Sequence, residues 1–432
     1  MRYQAFRFVG YEFSAVDRTL QLHYGYDNAL RFTETYRFDF DFVPYDPLAL
    51  DMALQNLFFI AGVSYYKAFI PGEIRVEAGT IDQPLADFLS KTYRCGLGEF
   101  WYVNQLSPHT PVDFPVNADS VKPADTIGKG LLVGLGGGKD SLVSVELLRK
   151  TDQTITTWSL GHRAQLAPLV ERTGLPHYWV ERSWDSQLQT LNEQDAYNGH
   201  IPISAIIAAV GTVVCILTGQ RDHVVSNEQS ANEPTLIYDG AEINHQYSKS
   251  QEFERDYQAL LRARFGDTQR YYSLLRPLSE LRIAELFAEN SFTKYHDVFS
   301  SCNTAFRRSS NRMLWDGTCA KCAFIFLVLT PFVDRPALET VFGGKNLLRD
   351  ASLDPTYRQL LGIGGEKPLD CVGEVRESRY AMKLARQHYP GLSRYAFKLD
   401  DSYDFRTIHR HEIPDEIWAQ VNEFVDSGSS PE

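Results

Sequence analysis

The sequence predicts an α/β fold with a central doubly wound parallel sheet, and three observations predict it. A glycine run, Gly134-Leu-Gly-Gly-Gly-Lys-Asp-Ser141, joins a strand-like stretch (Leu131, Leu132, Val133) to a helix-like one (Leu142, Val143, Val145, Leu147, Leu148). From Thr126 onward, strand-like runs near 131–135, 154–159, 177–181, 213–217 and 222–226 alternate with helices, the pattern of a parallel sheet. The chain has 432 residues, 44% of them hydrophobic, with 26 Phe and 23 Tyr, enough to bury the cores of two or three domains.

Residues 1–125 read as an N-terminal α+β domain. Phe6 and Phe8, then Leu20, Leu22 and Tyr24, then Tyr36, Phe38, Phe40 and Phe42 recur at the period of a strand. Pro47 to about Tyr66 reads as a helix, Ile74 and Val76 as a short strand, and Pro84 to about Tyr93 as a helix capped by Asp82. The proline-rich segment 107–115 reads as a linker. Residues 126–334 are the expected catalytic domain, and 335–432 a mostly helical region whose tail, 427–432, is expected to fray. No internal repeat is visible.

Ile201–Gly219 carries no charge and is long enough to suggest a membrane span. Pro202, Ser204, Gly211, Thr212 and the following Arg221-Asp222 instead make it a buried helix. The net charge of −12 disfavours a polyanion, so no nucleic-acid partner is expected. Met1-Arg2-Tyr3-Gln4 opens no signal peptide, and six cysteines in a chain this long make no disulfide framework. The expected location is the reducing cytoplasm, with no membrane partner.

Consecutive glycines let the backbone turn tightly and aim several amides at one anion, and the following helix adds its positive end. The loop is not a Walker motif, because Gly138-Lys139 is followed by Asp140; nor does a G-x-G-x-x-G register fit. A ligand-free strand-to-helix turn is the bland alternative, and Lys139, Asp140 and Ser141 together argue against it. The loop resembles the PP-loop, S-G-G-x-D-S, of the ATP pyrophosphatases, with Gly136 in place of the leading Ser. Those enzymes split ATP between the α and β phosphates. The resemblance implies an adenine nucleotide α-hydrolase-like sheet. It also implies that Gly136, Gly137, Gly138, Lys139 and Ser141 grip ATP, while Asp140 holds Mg²⁺ or orients the loop.

Further constellations follow. Ser226-Asn-Glu-Gln-Ser-Ala-Asn232 follows an apolar run, where Asn227 can donate and accept hydrogen bonds and Glu228 can bind Mg²⁺ or accept from a sugar or ribose hydroxyl; an ordinary capped loop is the alternative. Asn244-His-Gln-Tyr-Ser-Lys-Ser250 packs many hydrogen-bonding groups together without an apolar period, so His245, Lys249 and Ser250 are candidates for substrate binding or proton transfer. In Asn198-Gly-His200, the histidine is as readily a structural cap as a ligand. Cys95, Cys215 and Cys371 are scattered and read as small buried residues. Cys319-x-x-Cys322, with Cys302 upstream and Asp316 as a fourth ligand, has the look of a zinc site. Helix-face core cysteines and a proton-transferring thiol at Cys302 are the alternatives.

These blocks, in this order, resemble the UDP-N-acetylmuramoyl-L-alanyl-L-glutamate epimerase family, the glycopeptidyl-glutamate epimerases of the PP-loop superfamily. The matching strings include Phe6-Arg-Phe8, Phe32-Thr-Glu-Thr35, Gly136–Ser141 and Asn198-Gly-His-Ile-Pro202. They continue with Ser226–Ala231, Asn244–Ser250, Ser301-Cys-Asn303 and Lys321-Cys-Ala-Phe-Ile-Phe326. The resemblance implies ATP- and Mg²⁺-dependent inversion of a glutamate in a UDP-linked muramoyl dipeptide, within peptidoglycan synthesis. It also implies a cysteine near position 316, where this chain has Asp316. Two rival readings are another PP-loop adenylating enzyme, for amide, nitrile or thiol transfer, and a nucleotide-binding sensor without turnover.

Overall fold

Alternating apolar residues build one nine-stranded sheet in the computed structural model, which describes residues 3–306, 313–387, 389 and 391–426. The expected fraying tail lies outside these. The strands are β1 (Ala5–Ser14), β2 (Thr19–Tyr26), β3 (Leu30–Asp39), β4 (Glu73–Val76), β5 (Leu131–Gly134), β6 (Ile155–Leu160), β7 (His177–Ser183) and β8 (Asp222–Val225). A two-stranded ribbon, β9 (Leu236–Tyr238) and β10 (Ala241–Ile243), precedes the last sheet strand, β11 (Arg270–Ser273). The order across the sheet is β11-β8-β5-β6-β7-β3-β2-β1-β4. The five strands from β11 to β7 run parallel. The chain starts this half at β5, moves outward through β6 and β7, then returns to β8 and β11 on the other side. That reversal leaves a crevice at the C-terminal ends of β5 and β8.

The antiparallel strands β1–β3 continue the same sheet, because β3 pairs with β7. The sheet therefore crosses the sequence position expected to separate two domains. Period-two alternation divides its two faces. Leu132, Trp158 and Val180 join a core with the helices Pro47–Ala61, Gln83–Gly96, Ile203–Thr218 and Gln251–Phe265. Leu131, Val133, Ile155 and Val224 join another with Lys139–Leu148, Glu280–Asn290 and Ala320–Leu329. Asp82 caps its helix as expected, accepting from the Leu85 amide at 3.2 Å.

One expectation needs correction. The run 213–217 is not a strand but the end of the helix Ile203–Thr218, closed by Gly219 at φ 70°. A β-branched stretch buried on every side loses the periodicity that separates helix from strand. The helix expected from Pro47 to about Tyr66 is present as Pro47–Ala61 and Val63–Tyr66, with Gly62 between them at helical angles (φ −55°, ψ −22°), where a Cβ would lie 2.5 Å from the Phe8 ring. Segment Pro47–Tyr66 is long and apolar enough to cross a membrane by length and composition, but 83% of its most apolar window is buried inside the molecule.

A buried ion pair fastens the two halves of the sheet. Arg182 on β7 donates to both oxygens of Glu34 on β3, at 2.9 and 3.2 Å, and Tyr36 donates to Glu34 at 2.6 Å. Glu34→Ala would leave the guanidinium buried and unpaired. It should cost about 3–5 kcal/mol of unfolding free energy in urea denaturation. A loss below about 1 kcal/mol, the range of surface pairs, would show that the junction does not depend on this contact.

Candidate active site

After β5 the chain turns through Gly136–Gly138 into the helix Lys139–Leu148. Gly137 has φ 92°, and a Cβ there would meet Met313 Sδ at 2.5 Å, so both backbone and space demand glycine. Among the described residues a Cβ on Gly136 would meet nothing within 4 Å, so these residues leave the front of the turn open. Gly138 is the helix N-cap and supplies no side-chain acceptor to the first-turn amides. Ser141 Oγ donates back to the Gly138 carbonyl at 3.2 Å.

Behind the turn lies a knot of buried charge. Lys139 is 1% exposed and ion-paired with both Asp140 and Glu280. Burial pushes its ammonium down, and the two carboxylates more than offset that, raising it overall. Burial pushes Asp140 up, but Lys139, Lys321 and Lys249 hold it below the usual carboxylate range. Glu280 is pushed up by burial against the pull of Lys139, and its Oε1 is a buried atom with no hydrogen-bond partner. Glu228 completes the group: carboxylate oxygens of Asp140, Glu228 and Glu280 lie within 4.8 Å of one another. Glu280 Oε1 accepts no hydrogen bond among the described residues and lies 4.0 Å from Lys321 Nζ, and three converging carboxylates of this kind offer the hard oxygens that fit Mg²⁺.

Arg276, fully buried, pairs with Glu254 at 3.0 Å and donates to the backbone carbonyls of Glu228, at 2.6 Å, and Lys249. It thereby joins the Ser226–Asn232 and Asn244–Ser250 segments. Lys249 Nζ lies 3.2 Å from Cys371 Sγ. Burial opposes its charge, but Cys371 and Glu228 raise it overall. His245 Nδ1 meets Thr235 Oγ1 at 2.6 Å, while its buried Nε2 has no partner. Burial pushes His245 down to about 4. His200, also at about 4 through burial, sits 3.6 Å from Glu99, whose carboxyl burial raises.

The structure thus gathers four expected residues, Lys139, Asp140, Glu228 and Lys249, around one centre, with the neutral His245 within the field of Lys249. Ser250 is occupied as the N-cap of Gln251–Phe265, and the Asn227 carbonyl accepts from Ser273 at 2.6 Å. A cavity of about 590 Å³ lies beyond Asn244 and Ser250, against Arg94 and Trp101; it contains none of the three clustered carboxylates. Cys302, Asp316, Cys319 and Cys322 converge in a separate group. Sequence reading missed Glu280, Arg276, Lys321, Glu99 and Cys371. Glu280 stands behind a Ser279 cap and looks like any first-turn acid. Cys371 was expected to be a plain buried residue, but it is half-buried and paired with Lys249.

Family models match two stretches of the chain: the MurL N-terminal domain over residues 1–274 and the MurL C-terminal domain over residues 298–393. The chain belongs to the MurL family. It is 41% identical to a UDP-N-acetyl-alpha-D-muramoyl-L-alanyl-L-glutamate epimerase of Xanthomonas oryzae pv. oryzae, over 96% of both chains. It is 39% identical to an epimerase of the same name from Micromonospora sp., over 89% of this chain and 87% of that one. The MurL relative from Salinispora tropica, again so named, is 39% identical over 89% and 85%.

The depressed histidines set a pH dependence. His245, near 4, and His223, buried on β8 and pushed down to about 3, stay neutral when folded, whereas an unfolded histidine titrates at about 6.5. Their contribution to stability is complete above ~6.5 and is lost as pH falls toward these folded values. An NMR titration should place the His245 imidazole midpoint near 4. A midpoint near ~6.5, the free value, would contradict its burial.

Proposed function

We propose that this protein inverts the terminal L-glutamate of UDP-N-acetylmuramoyl-L-alanyl-L-glutamate at Cα, in peptidoglycan synthesis. ATP adenylates the α-carboxyl with loss of pyrophosphate, Cα is deprotonated and reprotonated from the opposite face, and water then hydrolyses the acyl-adenylate to the free carboxylate and AMP. One observation carries the reading. An open glycine turn and three converging carboxylates sit together at the ends of β5 and β8, in a chain whose relatives are named for this epimerisation.

The chemistry explains the need for both. A Cα–H beside a free carboxylate is hardly acidic, because its removal stacks negative charge on negative charge. Adenylation removes the carboxylate charge, so the proton becomes removable and fixed donors can hold the enolate. The amides around Gly136–Gly138 grip the phosphates, and Lys139 fixes Asp140 and Glu280 from beneath. Asp140, Glu228 and Glu280 would hold Mg²⁺, which would supply the positive charge that a departing pyrophosphate needs. Lys249 with Cys371, and His245 through its unpartnered Nε2, are the groups that move the Cα proton. Cys302 is assigned no part in this, because its thiol faces Cys319.

Incubation with the dipeptide substrate, ATP and Mg²⁺ should yield D-glutamyl product with AMP and pyrophosphate. ADP and phosphate as the main products would overturn the reading. Asp140→Asn should abolish pyrophosphate release with the circular dichroism unchanged. Lys249→Met, Cys371→Ser and His245→Gln divide the roles. A group that moves the proton should leave pyrophosphate release largely intact while epimerisation falls roughly 10²–10⁴-fold.

A further inference from the structure

We propose that Cys302, Asp316, Cys319 and Cys322 form a closed structural zinc site that braces the glycine turn from behind. Ligand atoms of all four residues lie within 4.8 Å of one another. Cys302 Sγ is 3.9 Å from Cys319 Sγ, which is 3.4 Å from Cys322 Sγ; Cys322 Sγ is 3.3 Å from Asp316 Oδ1. A tetrahedral zinc with Zn–S bonds of about 2.3 Å and a Zn–O bond of about 2.0 Å separates its ligands by about 3.5–3.8 Å. Cys319 caps the helix Ala320–Leu329 and Cys322 lies in its first turn, so a rigid element presents both. The carboxylate is also oriented: Thr304 donates to Asp316 Oδ2 at 2.8 Å, and the Thr318 amide donates to Oδ1 at 2.8 Å. A disulfide could use only two of the three thiols. Zinc uses all four, with the thiol protons released on binding.

The site's position gives it a role. Two residues before Cys302, the Ser300 amide donates to the Gly137 carbonyl at 2.9 Å. Ser301 Cβ lies 3.3 Å from where a Gly138 Cβ would stand. Fastening Cys302 to the helix Ala320–Leu329 therefore fixes the wall behind the phosphate-type turn.

Metal analysis of the purified full chain should find about one zinc per chain, as for a single closed site. Asp316→Cys should retain the zinc as a four-thiolate set. Cobalt in its place should show thiolate-to-metal charge-transfer absorption in both proteins. Cys302→Ser should lose the zinc; if that variant does not fold, Asp316→Cys and the cobalt spectrum still decide. Absence of zinc from wild type and Asp316→Cys would overturn the site, as would ready alkylation of the three thiols in the folded protein or a Cys319–Cys322 disulfide. Removing the zinc with a chelator should speed amide hydrogen exchange across 135–141. Unchanged exchange would show that zinc does not brace the turn.

Discussion

The architecture of this site depends on the ammonium of Lys139, buried between Asp140 and Glu280. A charge at 1% exposure persists only when it is paired, so the first turn of Lys139–Leu148 and that of Glu280–Asn290 must meet at one point. The sheet makes this meeting possible. Lys139 follows β5 and Glu228 follows β8, and these adjacent parallel strands stand where the winding reverses. The backbone amide of Glu280 in turn donates to Glu377 at 2.8 Å, so the distant helix Val375–Ala385 also supports the centre. Burial and the nearby Glu374 and Glu280 push the Glu377 carboxyl up to about 8, against the pull of the two backbone amides it accepts.

The same constraint explains the division of labour. Asp140, Glu228 and Glu280 put three carboxylates within 4.8 Å, while Lys139, Lys249 and Lys321 surround them. Lys139 is fully committed beneath the turn; Lys249 reaches toward Cys371. Arg276 fixes both segments through their backbone carbonyls, which leaves the Glu228 carboxylate and the Lys249 ammonium to act as side chains. A centre built this way holds its polar groups in place before substrate arrives, which is where electrostatic catalysis gains most.

Legibility in the sequence followed the range of each signal. The Gly136–Ser141 loop, the capped helix after Asp82 and the strands near 131, 155 and 177 are local patterns, and all stand where expected. The union of β3 with β7 is a long-range pairing that no local period announces, and β11, buried at three successive residues, shows no alternation to mark it. The site divided the same way. Asp140, Glu228 and Lys249 lie in dense polar strings. Glu280 and Cys371 reach the centre only because distant helices and turns bring them there. The run 213–217 misled because complete burial on all faces erases periodicity.

The central claim is that carboxyl activation makes the Cα proton labile. Deuterium uptake from D₂O tests it most directly. With ATP and Mg²⁺, the D-glutamyl product should carry deuterium at Cα; without ATP, the recovered L-substrate should carry none. Deuterium at Cα in the absence of ATP would show that the proton is labile beside a free carboxylate, and would contradict the account.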